Sequence, residues 1–107
     1  MTWRSYEESM PSNCDLSSAG RYAVKHNPAA YYVDIRSRCA RWDAPMATTS
    51  SGRFLSDLRR DRLPSFSFVA PNLCDDMHDC PIATGDAWLH RWIARIVASP
   101  ATGRVRL

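Results

Sequence analysis

The segment Pro71–Pro81, PNLCDDMHDCP, concentrates side chains that can do chemistry. His78 lies two residues after one acid and directly before another, Asp76 and Asp79. An imidazole oriented by a carboxylate can serve as a general acid, a general base or a donor to a bound anion. His78 is therefore a candidate catalytic residue, although a single histidine in a polar loop is more often simply exposed to solvent.

Cys74 and Cys80 frame the same segment. Their Cα atoms would lie ~20 Å apart in a strand and ~9 Å apart in a helix. A disulfide requires a Cα separation of about 4.4–6.8 Å, so pairing would force the segment into a tight loop. We expect Cys74–Cys80 to pair, which leaves Cys14–Cys39 as the second bond by elimination.

Two kinds of metal site compete with this interpretation. Structural zinc favours ligand pairs two to four residues apart, and the spacing from Cys74 to Cys80 is wider than that. A site for a hard cation on Asp75, Asp76 and Asp79 stays open, although three neighbouring acids more often form a solvated loop. The residues alone therefore predict no metal ligand in this chain.

A second candidate is the tetrapeptide KHNP, residues Lys25 to Pro28. Asn27 is a good N-cap and Pro28 suits the first helical position. Lys25 and His26 would then form a cationic corner before a helix N-terminus, where anions are favoured. The simpler alternative is that His26 and Asn27 only begin a helix.

Periodicity and turn signals predict the elements that must position these residues. We expect Thr84 to cap the last helix, which carries an apolar stripe that includes Trp88 and Trp92. A strand followed by a loop and a long helix is typical of a layered α/β fold, and the strands are too few to complete one. The predicted elements are a strand over Thr2–Ser9, a short helix over Pro28–Ile35, a loop over Ala44–Gly52, a helix over Arg53–Arg62, a strand over Ser65–Pro71 and a helix over Thr84–Ser99.

Composition narrows the class of protein. The net charge of +3 is spread over arginines without the aromatic and basic motif of a known nucleic-acid reader, so we expect no nucleic-acid partner. No run reaches the ~20 apolar residues of a transmembrane helix, and the first residues do not resemble a signal peptide. Four cysteines nevertheless indicate an oxidising compartment. We therefore expect that the natural N-terminus precedes this sequence.

Three stretches together resemble the bacterial phosphoesterase family, which includes acid phosphatases and phospholipases C of the alkaline-phosphatase-like superfamily. They are YAVKHNPAAYY, LPSFSFVAPNLCDDMHDCP and TGDAWLHRWIARIVASP. The similarity runs from about Trp3 to Pro100. It implies an incomplete portion of an α/β/α alkaline-phosphatase-like fold, with residues 1–107 forming one partial domain.

The resemblance also implies an activity, the hydrolysis of phosphate esters by a metal-bound Ser or Thr nucleophile in a secreted or periplasmic enzyme. It implies catalytic roles for His26 and His78. The residues expected to support them at the substrate are Lys25, Asn27, Asp76 and Asp79.

Several parts of the family pattern have no counterpart in this sequence. They are the N-terminal Glu-Asn metal motif, the nucleophile segment and a later acidic pair. We therefore expect the divalent metal of the full-length family to be bound outside this chain, and the isolated chain to be inactive. The alternative is a non-catalytic module, stapled by disulfides, that binds an anionic ligand or a protein partner through Lys25, His26 and the arginines.

Overall fold

A computed structural model describes residues 1–103 of the chain, and within them three parallel strands form one sheet. The strands are β1, Trp3–Glu7; β2, Asp43–Pro45; and β3, Phe66–Ala70. Their order is β2-β1-β3, so the first strand of the chain is the central one. The register places Ser5 beside Asp43 on one side and beside Phe68 on the other. The α/β class predicted from the sequence is confirmed.

Helices make the crossovers that parallel strands require. α1, Arg36–Trp42, connects β1 to β2, and α2, Arg53–Arg59, connects β2 to β3. α3, Ile82–Ala98, follows β3. Short 3₁₀ helices occupy Val24–His26, Pro28–Ala30 and Pro100–Gly103. None of the helices in this part of the chain combines the length and the apolar character needed to cross a bilayer.

The core lies between α2, α3 and one face of the sheet. The ring centroid of Phe54 is 4.6 Å from that of Tyr6 in β1 and 5.0 Å from that of Trp92 in α3. Trp88 is buried as well, so the predicted apolar stripe of α3 does face the core. The flank of this stripe faces solvent instead. Leu89 is 51% exposed, and much of the helix surface beside it is exposed as well.

The region between β1 and β2 differs from the prediction of a helix over residues 28–35. Only Pro28–Ala30 forms a single 3₁₀ turn, and the α-helix begins later, at Arg36. Two tyrosines and a valine follow the turn, and these are weaker helix formers than the three arginines and the alanine of α1. The predicted loop over residues 44–52 begins instead with the edge strand β2, where Pro45 is tolerated.

The ends of α2 and α3 differ from those predicted. α3 begins at Ile82 directly after Pro81, so Thr84 lies inside it and caps nothing. Pro81 is extended (φ −64°, ψ 158°) and its carbonyl accepts the N–H of Thr84 at 2.9 Å, which starts the helix two residues early. α2 ends at Arg59 rather than at Arg62. Within the segment predicted to complete this helix, Asp61 has a positive φ of 56°.

Candidate functional site

A cleft of about 650 Å³ opens at the carboxyl end of β3. This is the edge of a parallel sheet at which α/β proteins generally bind ligands. The cleft brings together residues from the turns before α1, from β3 and from the loop that follows β3. Its lining includes the side chains of Lys25, His26, Tyr31, Tyr32, Phe68 and Asp76.

His26 and Asp76 meet across this cleft. Nδ1 of His26 lies 3.6 Å from Oδ2 of Asp76, a distance at which charges attract but which is long for a hydrogen bond. The imidazole is 37% exposed and the carboxylate 17%. Within residues 1–103, Nε2 of His26 has no hydrogen-bond partner, so it is available to a ligand.

Asn27, next to His26, lies beneath the cleft rather than in its wall. It is fully buried, and its amide nitrogen donates to Oδ2 of Asp43 at 2.7 Å and to the hydroxyl of Tyr22 at 3.0 Å. Its amide oxygen accepts the backbone N–H of Ala29 at 3.1 Å, which caps the turn as the sequence predicted. Asn27 thereby fixes His26 relative to the sheet.

A second buried carboxyl group shares this cluster. Glu7 is only 2% exposed, and Ser5 donates to its Oε1 at 2.7 Å. Burial, together with the charge of Asp43, raises the pKa of Glu7 to about 7, although the Ser5 hydrogen bond acts in the opposite direction. Burial also raises the pKa of Asp43, whose Oδ1 has no hydrogen-bond partner. One face of the sheet therefore carries two carboxyl groups that resist ionisation, Glu7 from β1 and Asp43 from β2.

The loop after β3 is closed as predicted, by a disulfide between Cys74 and Cys80 with a Cα separation of 4.7 Å. The second predicted bond, Cys14–Cys39, is also present. Asn72 begins the loop, and its side-chain oxygen accepts the backbone N–H groups of Cys74 and Asp75 at 2.9 and 2.8 Å. These bonds fix the direction of the chain into Asp76.

The loop also packs closely on α3 at Gly85. A Cβ atom at that position would lie 2.5 Å from Cγ of Met77 and 2.9 Å from the carbonyl oxygen of Asp75. Only glycine allows this approach, because real Cβ contacts are essentially never that short. α3 therefore packs directly against the loop and supports it.

His78 does not join the cleft. Its Nδ1 lies 2.7 Å from Oδ1 of Asp79, and both side chains are more than half exposed. Its backbone N–H donates to Oδ1 of Asp76 at 2.8 Å. The structure thus separates the predicted site residues: Lys25, His26 and Asp76 line one cleft, whereas His78 and Asp79 form a pair outside it.

The donor groups of the described residues do not fit the divalent metal that the resemblance implies. One group of three possible ligands occurs within residues 1–103, formed by Cys14, Cys39 and Asp43. Both sulfurs belong to a disulfide and offer no thiolate, which metals require of cysteine. The loop acids do not converge in the same way, so no chemical step is assigned to a metal here.

Sequence reasoning missed the aromatic part of the cleft. The sequence pattern predicts a helix at Tyr31 and Tyr32 and a buried strand at Phe68. These three side chains are 55%, 64% and 36% exposed, respectively. The position of the two tyrosines directly after KHNPAA was the one available signal, and Phe68 had none.

The chain is similar in sequence to several curated phosphatases. The chain is 27% identical over 103 residues to a phosphate-repressible acid phosphatase of Penicillium chrysogenum and 30% identical over 106 residues to an acid phosphatase of Aspergillus fumigatus, with 91% of this chain covered in both. It is 34% identical over 94 residues, 87% of this chain, to a phosphatidylinositol-3-phosphatase of Mycobacterium tuberculosis.

This chain spans 24%, 23% and 29% of those three proteins, about a quarter of the length of the curated relatives. No solved structure is similar enough to count as a match. The sequence model of the phosphoesterase family matches residues 1–106, nearly the whole chain. On that match, the chain belongs to the phosphoesterase family.

Proposed function

We propose that this chain supplies the phosphate-binding corner of a phosphate-ester hydrolase, an acid phosphatase or a phospholipase C-like enzyme. The observation that carries the proposal is the meeting of Lys25, His26 and Asp76 in one cleft at the carboxyl edge of the sheet. The family match and the acid phosphatases among the relatives support the reaction class. Most of each relative lies outside the matched region, so the activity of the whole protein belongs to this proposal.

Each of these cleft residues would have a role at the phosphate that follows from its chemistry. Lys25 places a cation at the phosphate, where a compact ammonium group is an effective point charge. Asp76 faces Nδ1 of His26 and so holds the ring with Nε2 toward the ligand. A protonated His26 could then donate from Nε2 to a phosphoryl oxygen or to the oxygen of the leaving group.

The other predicted residues take supporting places in this proposal. Asn27 positions His26 from beneath, because its amide is occupied by Asp43 and Tyr22. His78 and Asp79 form a second imidazole and carboxylate pair on the surface of the loop. That pair would reach the phosphate only if another part of the domain enclosed the loop.

The nucleophile and its metal would come from other parts of the family domain. We propose that the isolated chain binds phosphate but does not hydrolyse phosphate esters, because the groups that stabilise a phosphoryl transition state are incomplete. Two disulfides support a secreted or periplasmic location.

Binding of inorganic phosphate, followed by NMR titration at about pH 6, tests the corner. We expect K25A and H26Q each to weaken binding about tenfold, since each loses one interaction with a charged group. H90Q is the matched control, because His90 is exposed on α3 and does not line the cleft. Unchanged binding in both cleft variants would contradict the proposal.

Turnover is a separate measurement. We expect no hydrolysis of p-nitrophenyl phosphate by the isolated chain, with or without added divalent metal. Metal-dependent hydrolysis that H26Q abolishes would leave the binding proposal standing and refute the inactivity of the chain.

A further inference from the structure

Exposed aromatic side chains line the cleft next to its cationic corner. Tyr31 and Tyr32 follow the 3₁₀ turn that begins at Pro28, and Phe68 comes from the middle of β3. All three contribute to the same cleft as Lys25 and His26. We refer to Tyr31, Tyr32 and Phe68 as the aromatic wall.

The aromatic wall leaves a large apolar area in contact with water. The rings of Tyr31 and Tyr32 are more than half exposed, although rings of this size normally contribute strongly to a core. Tyr32 and Phe68 also line an adjoining apolar pocket of about 330 Å³, together with Trp3 and Phe66. The wall therefore continues away from the charged corner along the sheet.

We propose that the aromatic wall binds the leaving group of the phosphate ester, so that the preferred ligands are monoesters of phenols and similar flat aromatic alcohols. The proposal rests on the phosphate corner proposed above and adds the class of alcohol. Charge complementarity sets the orientation: the phosphate lies against Lys25 and His26, which leaves the ester group on the side of the rings.

The size and composition of the cleft fit such a ligand. Small-molecule sites commonly have volumes of ≈ 300–1,000 Å³ and combine apolar walls with a few placed polar groups. Aromatic pairs gain more than their buried area alone provides, and the gain corresponds to about a fivefold change in affinity. A short aliphatic ester offers no π-system and little area, so it would not obtain this gain.

A ligand series separates the wall from the corner. Dissociation constants of inorganic phosphate, ethyl phosphate and phenyl phosphate are measured by NMR titration of the full chain at about pH 6. We expect phenyl phosphate to bind about fivefold more tightly than ethyl phosphate. Y32A and F68A should remove that preference while the affinity for ethyl phosphate is kept, and Y32F should retain it.

Each outcome bears on a different part of the proposal. Equal affinities of phenyl and ethyl phosphate would overturn the wall and leave the phosphate corner intact. Binding of none of the three ligands would overturn both. Because Tyr31 is more than half exposed, Y31A serves as a second wall variant that spares the core, and a preference that survives Y31A, Y32A and F68A would overturn the wall.

Discussion

Nε1 of Trp88 donates a hydrogen bond of 2.9 Å to Oε2 of Glu8, a residue 80 positions earlier in the chain. The other oxygen of the same carboxyl group accepts the backbone N–H of Asn72 at 2.9 Å. The side chain of Glu8, directly after β1, thus connects the beginning of the disulfide-closed loop to α3.

The first prediction concerns the titration of Glu8. Burial, and secondly the carboxyl group of Asp75, raise the pKa of Glu8 to about 7. We expect the indole N–H resonance of Trp88 in a proton NMR spectrum to shift with an inflection at about pH 7, rather than near the ordinary glutamate value of 4.5. E8Q should abolish this inflection. An inflection near 4.5 in the wild-type chain would contradict the prediction.

The second prediction concerns stability and the buried Glu7. Its pKa is raised from 4.5 to about 7, so the folded state holds a proton that the unfolded state has released. The resulting stabilisation is present in full below about pH 4.5 and is lost as the pH rises through 7. It amounts to about 3 kcal/mol. Urea unfolding at pH 4.5, 6 and 8 measures it.

Two variants make that measurement specific. E7Q keeps the shape of the side chain without its titration, so the free energy of unfolding should depend less steeply on pH than in the wild-type chain. D86N, at an exposed position on α3, should keep the wild-type dependence. A dependence that is the same in E7Q and in the wild-type chain would refute the assignment to Glu7.

The third prediction ranks the two disulfides. Cys14–Cys39 has a sequence separation of 25, whereas Cys74–Cys80 has a separation of 6. Closing the longer loop removes more entropy from the unfolded chain. We expect C14A/C39A to lower the free energy of unfolding by about 3–4 kcal/mol and C74A/C80A by about 2 kcal/mol. Urea unfolding of the two double variants tests the order, and a larger loss in C74A/C80A would contradict it.

The fourth prediction concerns a buried ion-pair network in the core. Asp57 of α2 is 3% exposed and accepts hydrogen bonds from Arg4 at 2.9 Å, Arg53 at 3.1 Å and Tyr6 at 2.7 Å. D57A would leave Arg4 without its partner inside the protein. We expect a loss of about 3–5 kcal/mol in the free energy of unfolding. D86A should change it by less than about 0.5 kcal/mol, and similar losses in both variants would count against the network.

The sequence predicted those features that depend on local patterns. The β-rich run before Pro71 predicted β3, although not its exposure, and the tryptophan spacing predicted the buried face of α3. The short separation of Cys74 and Cys80 likewise predicted their bond. In each case the residues close in sequence contain enough information to decide the structure.

Features set by tertiary contacts were not predicted. β2 has only three residues and exists because Ser5 and Glu7 of β1 pair with it. The connection between Glu8 and Trp88 spans most of the chain and leaves no local pattern. The same reason explains why the two histidines predicted to be catalytic lie in different environments. His26 faces Asp76 from another element, whereas His78 contacts its own neighbour.

The central place of β1 has a consequence for how the chain folds. Ser5 pairs with Asp43, and Trp3 pairs with Phe66, so none of the three strands within residues 1–103 pairs with one that a short hairpin could bring to it. Sheets built from such distant pairings fold slowly, because loop closure precedes any gain from the contacts. Of these three strands β1 is synthesised first, and it cannot pair with β2 or β3 until each of them has been made. The polar residues of β1, Ser5 and Glu7 on one face and Arg4 on the other, would help to keep the unpaired strand from aggregating.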